Sequence, residues 1–267
     1  LRVVSNKVIF CEGGLKSLDS GLIKRLLENL SNQITIIPTG SKFNFSVFVQ
    51  GYLYTDEQQN NQNYMIFRDR DFDIEPTTEI KLLQIDKVGK RIDKRTFLCH
   101  RTCVENYLLN PELIHNYWVT KYAEKLENPI SKWGHKDSPG IDNITKWIED
   151  AARTLLHYQA VRWALGNLCQ LSASKKQLKT TWTQSGKIPI SLILSDCKNE
   201  ALSLINEFIT TVSQVEAIKF EDSLNKYLQQ FDQEEFWIQK QYLIWFDGKD
   251  IQAAMHKISQ NSKLPYK

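Results

Sequence analysis

Two short apolar runs in this chain each end abruptly in carboxylates. Val8-Ile9-Phe10-Cys11 is followed by Glu12-Gly13-Gly14, and Tyr64-Met65-Ile66-Phe67-Arg68 by Asp69-Arg70-Asp71-Phe72-Asp73. Both runs read as buried strands. In an extended chain successive side chains point to opposite faces, so Asp69 and Asp71, with Asp73 next in line, share one side, and Arg68 and Arg70 the other. Carboxylates crowded at a strand end raise one another's pKa unless a cation neutralises them. Mg²⁺ is a hard ion held through one or two carboxylates together with phosphate oxygens, so the pattern points to phosphoryl-group chemistry. Taken singly, Glu12-Gly13-Gly14 is also a plain strand-to-helix turn and Asp69–Asp73 a solvated one. Ligands of parallel sheets bind outside the carboxyl ends of the strands, and the coincidence of both segments at such ends favours a metal site.

The elements that must position these residues follow from periodicity. Val8–Cys11, Ile34–Ile37 and Tyr64–Arg68 read as strands, with Ile80–Ile85 and Thr96–His100 as weaker ones. Leu22, Ile23, Leu26, Leu27 and Leu30 repeat with helical spacing between the first two, and Phe43–Leu53 reads as a short helix after Thr39-Gly40-Ser41. Strands alternating with helices predict a mainly parallel sheet covered on both faces, hence an α/β fold. After Asn110 the pattern turns helical. Asn110-Pro111 is a capped helix start, and the helix runs to about Leu126. The stretch from Asn128 to Gly140, with Pro129, Gly134, Pro139 and Gly140, reads as a linker or long loop. Three apolar stripes follow: Ile144, Ile148, Ala152, Leu156, Ala160 and Trp163; then Leu202, Ile205, Ile209 and Val212; then Phe220, Leu224, Tyr227 and Phe231. Pro189–Leu194 has the composition of a short strand. We therefore expect a catalytic domain over 1–128 and a helical region over 129–267.

Composition narrows the class. With 267 residues, 42% hydrophobic and 24% charged, the chain is long enough for two cores and ordinary in its globular balance. No apolar run reaches the ~20 residues of a membrane span. Leu1 stands only a few residues before the first strand, and a preceding natural segment is left open. Cys11, Cys99, Cys103, Cys169 and Cys197 are odd in number and follow no framework spacing, which suits a reducing cytoplasm. Cys99-His100-Arg101-Thr102-Cys103 lacks the second ligand pair a structural zinc requires, and reads as a strand end with partly buried thiols. A net charge of +3 is too small to argue for nucleic acid by itself. Its distribution says more: Ala151 to Ser195 contains no acidic residue, yet carries Arg153, Arg162, Lys175, Lys176, Lys179 and Lys187. Such charge is usually solvated surface. Its functional reading is a phosphate-backbone track or a partner face, with Lys175, Lys176 and Lys179 as its centre.

A set of motifs carries a resemblance. The Glu12-Gly13 turn, Ser17-Leu18-Asp19, Pro38-Thr39-Gly40-Ser41 and Asp69-Arg70-Asp71 look like a Toprim domain. Glu105-Asn106-Tyr107-Leu108-Leu109 and Phe246-Asp247-Gly248-Lys249-Asp250 narrow this. The whole resembles the DUF4435 group of Toprim-related proteins, relatives of the overcoming-lysogenisation-defect nucleases. The resemblance implies a compact parallel sheet in which Glu12 on one loop and Asp69 and Asp71 on another jointly hold Mg²⁺. It also implies a nuclease paired with an ABC- or SMC-type ATPase in bacterial anti-phage systems such as PARIS. One departure matters. The simplest Toprim pattern has an acidic or polar residue soon after Glu-Gly, and here Leu15 and Lys16 intervene before Ser17-Leu18-Asp19. Asp19 is either that residue displaced or a first-turn helix residue favoured by the dipole.

The expected chemistry is metal-assisted hydrolysis of a phosphodiester. Asp69 and Asp71 anchor Mg²⁺, with Mn²⁺ as an alternative; Glu12 serves as ligand or general acid–base; Asp73 and Glu105 are further ligand candidates, Glu105 alternatively capping its helix. Lys42, Arg70 and Lys249 are candidate phosphate contacts, the two lysines alternatively exposed loop charges. His100, His115, His135, His157 and His256 have no part in the scheme. No Gly-x-Ser-x-Gly elbow and no Walker A loop is present. The competing readings are a phosphatase with Asp69 as nucleophile, disfavoured because no Thr follows closely, and a non-catalytic assembly module for an ATPase. DNA, messenger RNA and transfer RNA all suit backbone-directed contacts, and a homodimer is compatible with the chain.

Overall fold

The computed structural model describes residues 7–41, 44–45, 47–49, 63–88, 91–128, 130–171 and 190–261. Among these residues one sheet contains β1 (Lys7–Cys11), β2 (Ile34–Pro38), β3 (Tyr64–Arg68), β4 (Leu83–Val88) and β5 (Arg91–Leu98), in the spatial order β2-β1-β3-β5-β4. The first four of that order are parallel neighbours, and β4 joins as an antiparallel edge through its hairpin with β5. The expected strands form, displaced at the weak pair. Ile80, 85% exposed, falls before β4 rather than in it, and β5 begins five residues earlier than Thr96 because the hairpin partner extends it.

The sheet is apolar on both faces, as a covered parallel sheet must be. Val8, Phe10, Ile37 and Ile66 pack with Phe45 on one face, joined by Phe48, Val49 and Tyr64. Ile9 and Cys11 pack with Ile23 on the other, joined by Leu27, Ile34, Ile36, Met65 and Phe67. The strict alternation along β1 is the period-2 rule at work. Ile23 belongs to α1 (Leu18–Leu26), whose cap is Ser17, accepting the Ser20 N–H at 3.4 Å. Lys24 and Arg25 in its last turn complement the helix dipole. Of the segment expected as a helix over 43–53, Phe45, Val47, Phe48 and Val49 are helical; most of the rest lies outside the described residues.

Beyond the sheet come α2 (Glu105–Leu108), α3 (Pro111–Glu127) and α4 (Ile141–Gln170). They are followed by α5 (Leu194–Val212), α6 (Ala217–Phe231), α7 (Glu234–Ile238), α8 (Tyr242–Trp245) and α9 (Gly248–Asn261). Asn110 caps α3 as its sequence position requires, accepting the Leu113 N–H at 3.0 Å. Residues 130–140 are irregular, with Trp118 Nε1 donating to the Lys136 carbonyl at 2.8 Å. No helix among the described residues is long and apolar enough to cross a membrane.

The chain divides into two compact units, one of residues 1–155 with 237–267 and one of 156–236. This differs from a boundary near 128. Residues 237–261 belong to the sheet-containing unit instead of extending the helical region, and residues 130–140 lie inside that unit and mark no boundary. The first stripe of α4 is buried as expected at Ile144, Ile148, Ala152, Ala160 and Trp163. In the 156–236 unit Tyr227 stacks beside Phe231 at 5.9 Å, and Asn167 Nδ2 donates to Tyr227 Oη at 2.9 Å. The α5 stripe behaves differently, since Leu202, Ile205, Ile209 and Val212 are all exposed. Ser191–Ile193 form no strand, and Leu194 already begins α5.

Candidate metal centre

β1 and β3 are parallel neighbours with Cys11 level with Phe67, so Glu12 and Asp69 leave the sheet from adjacent strands at the same carboxyl edge. The turn after β1 is shaped by Gly13, at φ 75°, whose carbonyl accepts the Gly40 N–H at 2.8 Å. That turn brings Ser17 back to donate to the Glu12 carbonyl at 3.4 Å and starts α1 close to the strand end.

Asp69 is the centre of the site. It is 4% exposed. Its Oδ1 accepts the Val104 N–H at 2.9 Å and faces Cys99 Sγ at 3.8 Å, while Oδ2 lies 3.8 Å from Lys249 Nζ. Burial, then the charges of Asp19 and Asp71, push its carboxyl up to about 8, against the pull of Lys249 and the Val104 amide. Asp19 is raised in turn by burial and by Glu105 and Asp71, with Lys249 opposing. Glu105 Oε1 lies 3.4 Å from the same ammonium. Five charged groups thus act on one another at this edge: Asp19 from the first turn of α1, Asp69 and Asp71 after β3, Glu105 at the start of α2, and Lys249 in the first turn of α9.

Asp71 keeps its place through an unusual backbone. Its φ is 51°, the left-handed region, and its N–H donates to the Thr102 carbonyl at 2.8 Å. The chain therefore turns immediately after β3, and strand alternation does not extend past Arg68. Asp73 Oδ2 pairs with Arg68 Nη1 at 2.7 Å, and that nitrogen also donates to the Asp69 carbonyl at 3.2 Å.

Arg70 also departs from its expected role as a phosphate contact. It is completely buried, and its guanidinium donates to the carbonyls of Ile74 at 2.6 Å, His100 at 3.1 Å and Ile244 at 2.6 Å, and to Thr102 Oγ1 at 3.3 Å. Thr102 Oγ1 itself donates to the Ile244 carbonyl at 2.9 Å. Asn106, fully buried, completes the tie: Nδ2 donates to the carbonyls of Leu243 and Phe246 at 3.1 and 2.8 Å, and Oδ1 accepts the N–H groups of Gly248 and Cys103 at 2.9 and 3.2 Å. Asp247 Oδ1 accepts the Lys249 N–H at 2.9 Å and caps α9. Residues 242–249 are thereby fixed against the 99–106 loop, 140 positions away in sequence, and Lys249 reaches the acids from there. His100 is 3% exposed. Burial, then Arg70 and Arg101, hold its imidazole below the usual range. Lys42, Lys175, Lys176 and Lys179 lie outside the described residues.

The sequence left Asp19 between two readings, and the structure brings it into the cluster. The signal was Ser17-Leu18-Asp19 itself: a cap at Ser17 puts Asp19 in the first helical turn, beside the strand end that α1 follows. Asn106 and Asp247 were visible only as members of longer motifs, because their contacts join segments far apart in the chain.

The donor set suits a hard divalent cation. It is made of carboxylate oxygens, and Asp19 Oδ1 and Glu105 Oε2 are shielded from solvent with no hydrogen-bond donor among the described residues. Among the described residues no three His, Cys, Asp or Glu side chains converge closely enough to enclose such an ion as they stand.

Two predictions arise from this geometry. A Cβ added at Gly248 would lie 2.7 Å from the Asn106 amide nitrogen and 2.8 Å from its Oδ1. Gly248→Ala must therefore push α9 away from the 99–106 loop, and should cost about 1–3 kcal/mol in urea unfolding, as overpacking does. The second concerns pH. Without metal, the unfolded chain releases the Asp69 proton near 3.8 and the folded protein near 8. Across that window the folded state holds a proton the unfolded state has lost, so stability falls as pH rises, by at most about 1.4 kcal/mol per pH unit. Melting in EDTA from pH 5 to 9, wild type against Asp69→Asn, isolates this contribution. A difference that does not grow with pH would contradict it.

Neither comparison with protein-family models nor comparison with curated proteins returns a match to this chain.

Proposed function

We propose that this protein is a metal-dependent nuclease with a Toprim-like α/β domain, hydrolysing phosphodiester bonds of DNA or RNA, transfer RNA included. The observation that carries the reading is the buried Asp69 carboxyl at the carboxyl edge of a mainly parallel sheet, raised by Asp19 and Asp71, with Glu105 beside the same lysine. So many acids at one water-poor edge are an electrostatic cost to the fold, and a perturbed group of that kind marks a functional site more often than chance.

Asp69, Asp71, Asp19 and Glu105 would hold Mg²⁺ or Mn²⁺, with Glu12 entering from the neighbouring strand. A bound divalent ion polarises the phosphate and stabilises the attacking and leaving oxygens. The chain's own part is to orient and to move protons. Glu12, at the end of β1, is the general base for the attacking water when it is not a ligand. The Val104 amide holds one Asp69 oxygen, and Asp71, in a left-handed backbone just after β3, lies close enough for its charge to act on Asp69. Lys249, fixed by the Asp247 cap, presents an ammonium to a phosphate oxygen at the mouth of the site.

The motif set extends the reading to an anti-phage effector working with an ABC- or SMC-type ATPase, in the cytoplasm. Five free cysteines suit that compartment. The second reading is a non-catalytic module that docks such an ATPase, favoured by the exposed apolar stripe of α5. Calorimetric titration with Mg²⁺ separates them. Saturable binding that disappears in Asp69→Asn supports the nuclease. A heat signal no different from buffer supports the module.

A further inference from the structure

Lys249 stands in an unfavourable place for a cation. It is in the first turn of α9, where the helix dipole favours anions, and where Asp250 and the Asp247 cap are the expected residue types. Its main chain is held on both sides: its own N–H is on Asp247 Oδ1 at 2.9 Å, and the Gly248 N–H is on Asn106 Oδ1 at 2.9 Å. From that fixed point the ammonium reaches Glu105 at 3.4 Å and Asp69 at 3.8 Å. Exposure is split across the contact. The lysine side chain is 60% exposed, whereas those of Asp69 and Glu105 are 5% and 16% exposed. The ammonium therefore sits on the solvent side of the acids and is the cation they meet first.

We propose that Lys249 is an internal counter-cation that competes with the divalent ion for Asp69 and Glu105, and so sets the metal concentration at which the site loads. This rests on the metal reading of the same site. With no ion bound, the ammonium offsets the repulsion among Asp19, Asp69, Asp71 and Glu105 and holds the cluster together. An arriving ion takes over that neutralisation and releases the ammonium, which swings outward on its exposed four-carbon stem towards the phosphate. Loading and the freeing of a phosphate contact then become one event. A lysine suits this exchange better than an arginine, because a compact point charge on a flexible stem leaves more readily than a bidentate fork.

The test is calorimetric titration of the whole 267-residue chain with Mg²⁺, and separately with Mn²⁺, for the wild type, Lys249→Met and Lys249→Arg, each checked for an unchanged circular-dichroism spectrum. Removal of one positive charge from beside a divalent ion should tighten binding in Lys249→Met by about ten- to a hundredfold. Lys249→Arg keeps the charge and should bind within a few-fold of wild type. Lys249→Gln repeats the neutral substitution if the Met variant does not fold. A wild type too weak to titrate beside a neutral variant that binds also supports the competition. Wild-type binding with an unchanged or weaker Lys249→Met overturns it while leaving the metal site standing. No binding by any of the proteins overturns the metal site and the competition together.

Discussion

Replacing Asp69 with Asn should stabilise the metal-free protein while removing metal binding and cleavage. Opposite signs are expected because one carboxylate has two effects. In the fold it is a buried carboxyl, crowded by Asp19 and Asp71 and pushed up to about 8, so the folded state must either hold a proton the unfolded chain releases or bear a buried anion. Asn is nearly isosteric, keeps the Oδ1 that accepts the Val104 N–H, and removes only the anion. At pH 9 the variant should therefore melt above the wild type in EDTA, and near pH 4 the two should coincide. In the proposed metal site Asp69 is the central oxygen donor. Its loss should lower the cleavage rate by on the order of 10²–10³, the penalty for removing one preorganised electrostatic group. A variant that melts lower at pH 9, or that cleaves at the wild-type rate, would remove Asp69 from the centre of the account.

Arg70→Ala should be the most damaging substitution to the fold itself. The guanidinium is completely buried and connects three segments: the turn after β3 through Ile74, the end of β5 through His100 and Thr102, and α8 through Ile244. Burial lowers its pKa to about 10, with Cys99 and Tyr107 opposing, so it remains charged at neutral pH. Each hydrogen bond from a charged donor is worth about 1.5–3 kcal/mol, and truncation also leaves a cavity and takes the guanidinium donor from the buried His100 carbonyl. The loss should be on the order of 3–5 kcal/mol, as for other broken buried charge contacts. Arg70→Lys should recover little, since one ammonium cannot reach carbonyls on three segments. Urea unfolding separates this from a phosphate-contact role. A surface contact would leave the midpoint unchanged and weaken only substrate binding.

Much of the sheet was legible because it depends on local pattern. Val8–Cys11, Ile34–Ile37 and Tyr64–Arg68 are short apolar runs bounded by turn residues, and they form β1, β2 and β3 in parallel register. The carboxyl-edge position of Glu12, Asp69 and Asp71 followed from that. What failed was continuation of a local rule past its end. Strand alternation predicted Asp73 beside Asp71, but Asp71 enters the left-handed region and the turn sends Asp73 to Arg68. The same alternation put Arg70 on the face opposite the acids, beside Arg68, whereas the turn folds it inward onto the carbonyls of Ile74, His100 and Ile244. The return of residues 237–261 to the sheet-containing unit was illegible for a related reason. It depends on Asn106, Thr102 and Arg70 meeting Leu243, Ile244, Phe246 and Gly248, and nothing in the periodicity of either segment announces a partner about 140 residues away. The α5 stripe had helical spacing and formed a helix, but spacing does not specify what an apolar face packs against.

The central claim is that the acids around Asp69 make a metal-dependent phosphodiester-cleaving centre. It is tested most directly by incubating the purified protein, with and without an ABC-type ATPase, with plasmid DNA and total RNA. Wild type and Asp69→Asn are compared in Mg²⁺ and in EDTA. Fragments are expected only from the wild type and only with Mg²⁺. Equal cleavage by Asp69→Asn, or cleavage that persists in EDTA, would contradict it.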